Sequence, residues 1–598
     1  MKKIFPFLAL TLVLVFGSCR DLFETDPDDI INVGDYISED DEMYKGFLGI
    51  MTRMQQAADH SILLTDTRGD YLETTANAPL DLQKIYSYDP TDGNSYADPK
   101  PYYAIVIACN DYIDKMKTYR LETGDNMDET ALKNFKALLS SALRIKVWAY
   151  LKIGSIYGEA LWFDDPLEEK KELSDSTVFT YCDMKGIVAK CLDLLDNGLV
   201  LTDSEKISSQ LVMNWASWIN EEDVTSNYDH WQYMVPPYLS LRCELLLWRG
   251  ETADYTWVRD KVLEYLYKVH MNSINDGIDL LYPDWRYACN IPLSTGDNLQ
   301  ETSSSYSTIF FNQLYNASNL TNFYQVITGV MYDYDNHQTN HIVEYFCPRA
   351  PGQYYLRPTH YAIGKYKSTD LRSLQQQINM NIIDGDTCFT KYYYLRGKWL
   401  RTRLVEIHPV IPLFRGHDYH FYLAEAENHL HQWHQASVIM NSGVKNEFID
   451  ESWMPSYWKS QYYTWFSGTG YGDMGVAGCV LGYLHDFPMG QIDWIHKTAS
   501  AYPDGNFYNA KNEAFDEEAR IREYDLLIMD EALSEYAGEG RSYAYVCRMA
   551  ERYGAAAVVD RIADKYKGSP YYEKVRSAIL AGDYWVKWDL KADNLKNN

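Results

Sequence analysis

The sequence predicts a mainly α-helical protein, in which tetratricopeptide-like helix pairs form a scaffold with long irregular loops and a few short strands. Four segments repeat apolar residues at helical spacing, and glycines divide two of them into helix pairs. Such pairs are similar in size to tetratricopeptide units of about 34 residues. The intervening stretches are rich in Tyr, Asn, Gly, Pro and Asp without helical period, which is typical of loops. We therefore expect a single domain over 46–598, with excursions at about 271–410 and 446–512.

The first helical segment, residues 128–158, contains no proline and places apolar residues three or four positions apart, at Leu132, Phe135, Leu139, Leu143 and Val147. This spacing gathers them on one face of a helix. Small residues such as Ala142 and Gly154 are spread through the segment. We expect a long helix that neighbouring helices approach closely.

The other three helical segments also repeat apolar residues at helical spacing. Residues 235–270 are interrupted at Gly250, which predicts two helices in succession. Residues 417–444 and 517–554 complete the set, and glycines also divide the last of these. Each divided segment has the length of one helix–turn–helix unit.

The N-terminus has the pattern of an export signal. Lys2 and Lys3 precede an apolar run from Ile4 to Phe16, which is shorter than the roughly 20 residues that a membrane-spanning helix needs. The small residues before Cys19 resemble a bacterial lipobox, which predicts a signal peptide over 1–18 and lipidation of Cys19. An ordinary signal peptide with an incidental cysteine is the alternative. Residues 19–45 are acidic and are expected to form a tether.

The net charge and the aromatic content of the chain restrict the kinds of partner that it can bind. A net charge of −29 argues against binding of nucleic acid and against electrostatic docking on anionic lipid. Membrane attachment is therefore expected through the lipid anchor only. The chain has 52 Tyr and 16 Trp, and such side chains suit recognition surfaces because they combine a flat apolar face with a polar tip. Most of them are nevertheless expected to pack inside the protein.

Motifs for catalysis, metals or cofactors are weak. GYGDMG at 470–475 fits G-x-G-x-x-G but does not follow a hydrophobic strand, so a flexible loop is the better interpretation. His417 and His420 share a helix face without an H-E-x-x-H motif, and the ten cysteines include no C-x-x-C pair. No G-x-S-x-G surrounds a serine. We expect no catalytic residue, no metal and no cofactor, and a hydrolase is the weakest alternative.

A set of motifs in a fixed order resembles the SusD/RagB-like family of outer-membrane nutrient-binding lipoproteins from glycan-utilisation systems. Besides Cys19, the matches are PYYAIVIACNDYIDKM (101–116), the helix at 140–167, IPLFRGHDYHFYLAEAENHL (411–430) and IMDEALSEYAGEGRSYAYVCR (528–548). The last departs from the family pattern. Ala532 replaces an arginine, Tyr545 replaces an aspartate, and Arg541 comes one position early.

The resemblance implies a SusD-like fold and a non-catalytic receptor in the outer membrane, facing the cell exterior. Proteins similar to this family bind oligosaccharide or polysaccharide and deliver it to a TonB-dependent, SusC-like transporter. Two alternatives stay open: a peptide-binding member of the same fold, and a tetratricopeptide-like scaffold for protein interactions.

Candidate ligand-binding residues come from two parts of the chain. The resemblance implies contacts from two early loops, at Asp66, Arg68, Asp70, Asn94 and Tyr96. The aromatic excess adds candidates from the middle of the chain, at Trp285, Tyr306, Tyr324, Tyr332 and Tyr334. For Arg68 and Asp70 the alternative is an internal salt bridge that fixes the loop. For the aromatic residues the alternative is ordinary packing.

Overall fold

The structure is a computed structural model that describes residues 37–588 apart from gaps, the longest of which are 214–233, 271–325, 400–408 and 441–516. Several predictions from the sequence lie outside the described residues. These are the signal peptide, the lipidation of Cys19, most of the tether, the motif at 470–475, and Trp285, Tyr306, Tyr324 and Tyr334.

The described residues are mainly helical, as predicted. In chain order the helices are α1 Asp40–Ala57, α2 Leu80–Tyr86, α3 Lys100–Thr123, α4 Glu129–Tyr157, α5 Met184–Asn197, α6 Tyr238–Arg249, α7 Thr252–His270, α8 Ile342–Phe346, α9 His360–Lys365, α10 Gly416–His429, α11 Glu517–Glu535, α12 Tyr543–Tyr553, α13 Ala555–Ala563 and α14 Tyr572–Ala578. Helix α1 begins within the segment that was expected to be a tether, five residues before its end. Among the described residues, no helix is long and apolar enough to cross a bilayer.

Short antiparallel strands connect the helices. They are β1 Leu72–Thr74, β2 Glu159–Trp162, β3 Thr180–Asp183, β4 Leu199–Thr202, β5 Glu205–Ile207, β6 Val326–Met331, β7 Leu356–Pro358, β8 Met380–Ile383, β9 Asp386–Phe389, β10 Tyr394–Leu395, β11 Lys398–Trp399 and β12 Val410–Arg415. The strands pair as β1–β7, β2–β3, β4–β5, β6–β12, β8–β9 and β10–β11. The pairs β1–β7 and β6–β12 join parts of the chain that are far apart in sequence.

Successive long helices pack side by side, which is the arrangement that the helix-pair prediction requires. Helix α3 packs between α1 and α4, and the series continues through α5, α6, α7, α10, α11, α12 and α13. Helix α12 returns to contact α4, so a late helix of the series meets an early one. The core is one continuous cluster of buried apolar residues that includes Phe135, Leu139, Leu143 and Val147.

Caps explain why the predicted helix boundaries agree with the structure. The Asp128 side chain accepts a hydrogen bond from the backbone N–H of Ala131 at 2.8 Å, which starts α4. Gly158 follows the helix with φ 75°, a conformation that glycine adopts without strain. Gly250 separates α6 from α7 in the same way, with φ 73°.

A buried ion-pair network connects β12 and α10 to α11. The Arg415 guanidinium, fully buried, donates to Glu535 at 2.7 Å and to Glu539 at 2.9 Å. Lys391, which is also buried, donates to Glu539 at 2.6 Å. Burial opposes ionisation of Glu535, but Arg415 and His417 hold the pKa of its carboxyl well below the usual range. The charged residues of the late motifs therefore hold helices together inside the protein.

The shifted arginine of the last motif still finds a partner. Arg541 lies 2.6 Å from the Asp418 carboxylate, which also accepts a hydrogen bond from the backbone N–H of Arg415 at 2.7 Å. Glu425 pairs with Arg548 at 2.6 Å and with Arg552 at 3.0 Å. His417 contacts Glu535 at 3.1 Å. On the histidine face that was considered for a metal, His417 thus lies against a carboxylate of α11.

Candidate functional site

The strongest candidate for a ligand surface is a group of three partly exposed tyrosines, Tyr96, Tyr345 and Tyr355, which we call the tyrosine platform. The rings of Tyr345 and Tyr355 are nearly parallel, with centroids 5.6 Å apart and an interplanar angle of 13°. Burial raises the pKa of Tyr96, and the Tyr355 hydroxyl is the next largest cause. Flat aromatic faces with polar tips at partly exposed positions are what a stacked ligand requires.

Backbone hydrogen bonds fix the stacked pair. The backbone N–H groups of Gln353 and Tyr354 donate to the Glu344 carbonyl, at 2.8 and 3.1 Å, so the segment before β7 is held against α8. The N–H of Thr75 donates to the Tyr355 carbonyl at 2.9 Å. Tyr345 on α8 and Tyr355 beside β7 are thereby aligned by contacts from two sides.

Asn94 positions the third tyrosine. Its side-chain oxygen accepts from the backbone N–H of Tyr96 at 3.0 Å, and its amide nitrogen donates to the Asp81 carbonyl at 2.8 Å. Asn94 is itself buried. It therefore acts on the platform through the backbone of Tyr96, and its contact with ligand stays a prediction.

The hydroxyls of Tyr96 and Tyr345 are neutral hydrogen-bonding groups. Burial, followed by the neighbouring Tyr355, Asp81 and Asp59, raises the pKa of Tyr96. Burial and the adjacent Asp59 likewise raise the pKa of Tyr345. Both hydroxyls thus keep their protons at physiological pH, and each can donate one hydrogen bond and accept others.

Three residues proposed from the early loops lie in the interior. Asp66, Arg68 and Asp70 are each no more than 3% exposed. The Asp66 carboxylate accepts from the Gly540 N–H at 2.8 Å and from the Ser542 hydroxyl at 3.1 Å, and burial raises its pKa to about 7. Asp70 pairs with Lys365 at 2.8 Å.

Arg68 also uses protein partners. It donates to the Asp583 carbonyl, and its guanidinium lies 3.9 Å from the centre of the Tyr88 ring. The internal role that was the alternative for Arg68 and Asp70 is therefore favoured, although the two do not pair with each other as that alternative supposed. Their burial leaves little surface for a ligand, and ligand contact by Asp66, Arg68 and Asp70 stays a prediction.

Tyr332 is placed in the core. It is 3% exposed, and its hydroxyl donates to the Gln55 carbonyl at 2.7 Å. These surroundings are those of a residue packed in the core, which was the alternative stated for Tyr332. Among the proposed site residues that the structure describes, Tyr96 is the one that is partly exposed.

Tyr345 and Tyr355 were not singled out from the sequence. They flank the segment FCPRAPGQY, whose prolines and glycine signal a turn that could bring its two ends together. The partner that fixes Tyr355 is Thr75, which is far away in sequence. No local pattern specifies that contact.

A cavity between α4, α6, α10 and α12 is too small for a sugar. Its volume is about 20 Å³, which is enough for one water molecule. Its lining includes Trp148, Lys152, Glu244, Tyr422 and Arg541. Within the described ranges there is no group of three or more His, Cys, Asp or Glu residues that could hold a metal ion.

No protein-family model and no curated protein matches this sequence. Solved structures do match. A SusD homologue from Bacteroides thetaiotaomicron superposes with a TM-score of 0.53 at 10% identity, over 93% of this chain and 94% of that protein. A SusD superfamily protein from Bacteroides vulgatus superposes with a TM-score of 0.51 at 10% identity, over 94% and 97% of the two chains. The chain therefore has the SusD-like fold.

Proposed function

We propose that the protein is a cell-surface lipoprotein that binds oligosaccharide on its tyrosine platform and delivers it to a SusC-like, TonB-dependent outer-membrane transporter. The observation that supports binding most directly is the stacked, partly exposed pair Tyr345–Tyr355. The SusD-like fold supports the same assignment, because it extends over nearly the whole chain. The lipobox-like sequence at Cys19 supports attachment to a membrane.

The chemistry of the platform suits a sugar. A pyranose ring has an apolar C–H face that can lie on a tyrosine ring, and its hydroxyl groups can bond to the tyrosine hydroxyls. The platform side chains are uncharged, so affinity for a neutral glycan should depend on stacking and neutral hydrogen bonds. Binding of such a glycan should change little with added salt.

The first prediction concerns the lipid anchor. Cys19→Ala should leave the protein unlipidated and should release it from the outer membrane, since an acidic protein has no electrostatic attachment to anionic lipid. Fractionation of cells that lack the transporter is the measurement, because the transporter itself could retain the protein. Ser18→Ala, which keeps the cysteine, is the matched control and should stay in the membrane. Membrane retention of the Cys19 variant in these cells would contradict the prediction.

The second prediction concerns Tyr96. Tyr96→Ala should weaken binding of the cognate glycan by about 1–3 kcal/mol, as loss of a central aromatic contact typically does. Calorimetry against a panel of polysaccharides and peptides measures this and also tests the peptide alternative. Because Tyr96 lies on a loop and is partly exposed, the melting temperature should change little.

The control for Tyr96 is Tyr571→Ala. Tyr571 is 40% exposed and packs near Tyr86, outside the platform. Binding should be unaffected by this change. Equal affinity of the Tyr96 variant and the native protein would place the ligand elsewhere, and unfolding of the variant would show that Tyr96 is a packing residue.

A further inference from the structure

Tyr354, which directly precedes Tyr355 of the tyrosine platform, has a left-handed backbone conformation. Its φ is 50°, a value that residues with a bulky side chain adopt only at an energetic cost. Such a conformation persists only where the surrounding structure holds it. Because Tyr354 and Tyr355 are consecutive, the conformation of Tyr354 sets the direction in which the chain and the Tyr355 ring leave the turn. The stacking of Tyr355 on Tyr345 therefore depends on what holds Tyr354.

Three hydrogen bonds hold Tyr354, and each has its partner in a different part of the fold. The Tyr354 N–H donates to the Glu344 carbonyl on α8 at 3.1 Å. The Tyr354 carbonyl accepts from the hydroxyl of Thr75, which follows β1. The Tyr354 hydroxyl donates to the Thr387 carbonyl on β9 at 2.8 Å, and the Tyr354 side chain is buried. Bonds to α8, to β9 and to the residue after β1 thus fix both the backbone and the side chain of Tyr354.

Of these three partners, Thr75 is the one that uses its side chain, because the other two contribute backbone carbonyls. The Thr75 hydroxyl donates its proton to the Tyr354 carbonyl and accepts from the Asn77 N–H at 3.2 Å. The Thr75 N–H also donates to the Tyr355 carbonyl at 2.9 Å. Thr75 therefore holds two successive carbonyls of the platform segment, and its hydroxyl proton is already used inside the protein.

We propose that Thr75 is a positioning residue of the glycan site, whose hydroxyl keeps Tyr354 left-handed and so forms the stacked pair of the platform before a glycan binds. This inference rests on the proposed function, since it assumes that the platform binds a glycan. It adds the residue that pre-organises the site. Without the Thr75 hydroxyl the turn would leave the left-handed conformation part of the time. The apparent affinity would then fall with the fraction of molecules that keep the pair stacked.

Hydrogen–deuterium exchange of the protein without glycan tests the first half of the proposal. Thr75→Val keeps the shape of the side chain and removes the hydroxyl. The amide protons of Gln353 and Tyr354, which are bonded to the Glu344 carbonyl, should then exchange about fivefold faster or more, as expected from the loss of one hydrogen bond. Thr75→Ser, which keeps the hydroxyl, should exchange within about twofold of the native protein.

Two further variants accompany this experiment. Tyr354→Phe removes the bond to the Thr387 carbonyl and should also speed exchange, so the result does not depend on the folding of one variant. Thr256→Val is the matched control. Thr256 is partly exposed, as Thr75 is, and its hydroxyl donates to the Thr252 carbonyl at 3.1 Å on α7, which packs against α6 and α10. Exchange in the platform segment should be native in the Thr256 variant.

Binding kinetics test the second half of the proposal. The probes are maltoheptaose, cellohexaose and xylohexaose, and surface plasmon resonance is measured with the one that the native protein binds most tightly. Thr75→Val should lower the association rate constant about fivefold and keep the dissociation rate constant within about twofold, because fewer molecules are competent but the bound contacts are the same. Thr75→Ser should restore the native association rate constant. Tyr345→Ala, which removes a contact, should instead raise the dissociation rate constant.

Each other outcome overturns the inference in a recognisable way. Native exchange in Thr75→Val would show that the hydroxyl does not hold the turn. Faster exchange with native binding kinetics would show that the turn does not form the platform, and would leave the proposed function intact. A raised dissociation rate constant in Thr75→Val would make Thr75 a contact residue. Absence of binding for the three oligosaccharides and for the polysaccharide panel would overturn the proposed function, while the exchange experiment would still decide whether Thr75 holds the turn.

Discussion

Arg415→Met should lower the free energy of unfolding by about 3–5 kcal/mol, because it removes one partner from a buried ion-pair network. Glu535 and Glu539 would each lose a hydrogen-bonded cation in a place from which water is excluded. Methionine is similar in length to the arginine stem, so the cost arises from uncompensated charge more than from lost volume. Denaturant unfolding of the soluble protein, followed by circular dichroism, measures the change.

A matched variant distinguishes the loss of a buried arginine from the loss of an exposed one. Arg349→Met removes an arginine from an exposed pair with Asp384, and its cost should be at most about 1 kcal/mol. Adding Glu535→Gln to the Arg415 variant should restore part of the lost stability, since it neutralises one of the two carboxylates that were paired with Arg415. If the Arg415 and Arg349 variants were equally stable, the network would not be holding β12 and α11 together.

The double variant Tyr345→Ala/Tyr355→Ala should weaken glycan binding by about 3 kcal/mol or more. This corresponds to a rise in the dissociation constant of about 100-fold or more. The two rings are stacked, so neither is expected to keep its orientation when the other is removed. For the same reason the two single substitutions should not be additive. Calorimetry with the glycan that binds the native protein most tightly gives the three affinities.

A double change elsewhere controls for a general loss of aromatic surface. Tyr571→Ala/Tyr584→Ala removes two partly exposed tyrosines outside the platform, and glycan affinity should be retained. Retained affinity in the Tyr345/Tyr355 variant would contradict the assignment of the site. The far-ultraviolet spectrum should be native in both variants, because α8 is a short helix and Tyr355 precedes a short strand.

The helical scaffold could be predicted because its signals are local. Apolar spacing and the glycines at 158 and 250 mark α4, α6 and α7, and the structure places the helix ends at these positions. The start of α1 was missed because Asp40 and its acidic neighbours read as a continuation of the tether. Capping by Glu39 and Glu42 makes that acidic sequence compatible with a helix start.

The site was only partly predictable because its geometry depends on distant contacts. Tyr96 was identified from its loop, but the chain alone does not show that α8 and β7 bring Tyr345 and Tyr355 to it. Conversely, Asp66 and Arg68 are polar residues in a loop, which suggests exposure. Their burial follows from contacts with residues 540–542 and 583, almost at the other end of the chain.

Hydrogen–deuterium exchange with bound glycan tests the central claim most directly. With the tightest-binding glycan at saturation, protection should appear in the peptides that contain residues 94–98 and 342–356, because these carry the three tyrosines of the platform. The Tyr345→Ala/Tyr355→Ala variant should lose that protection at the same glycan concentration. Protection confined to residues 271–325, where Trp285, Tyr306 and Tyr324 lie, or no protection at the platform, would contradict the account.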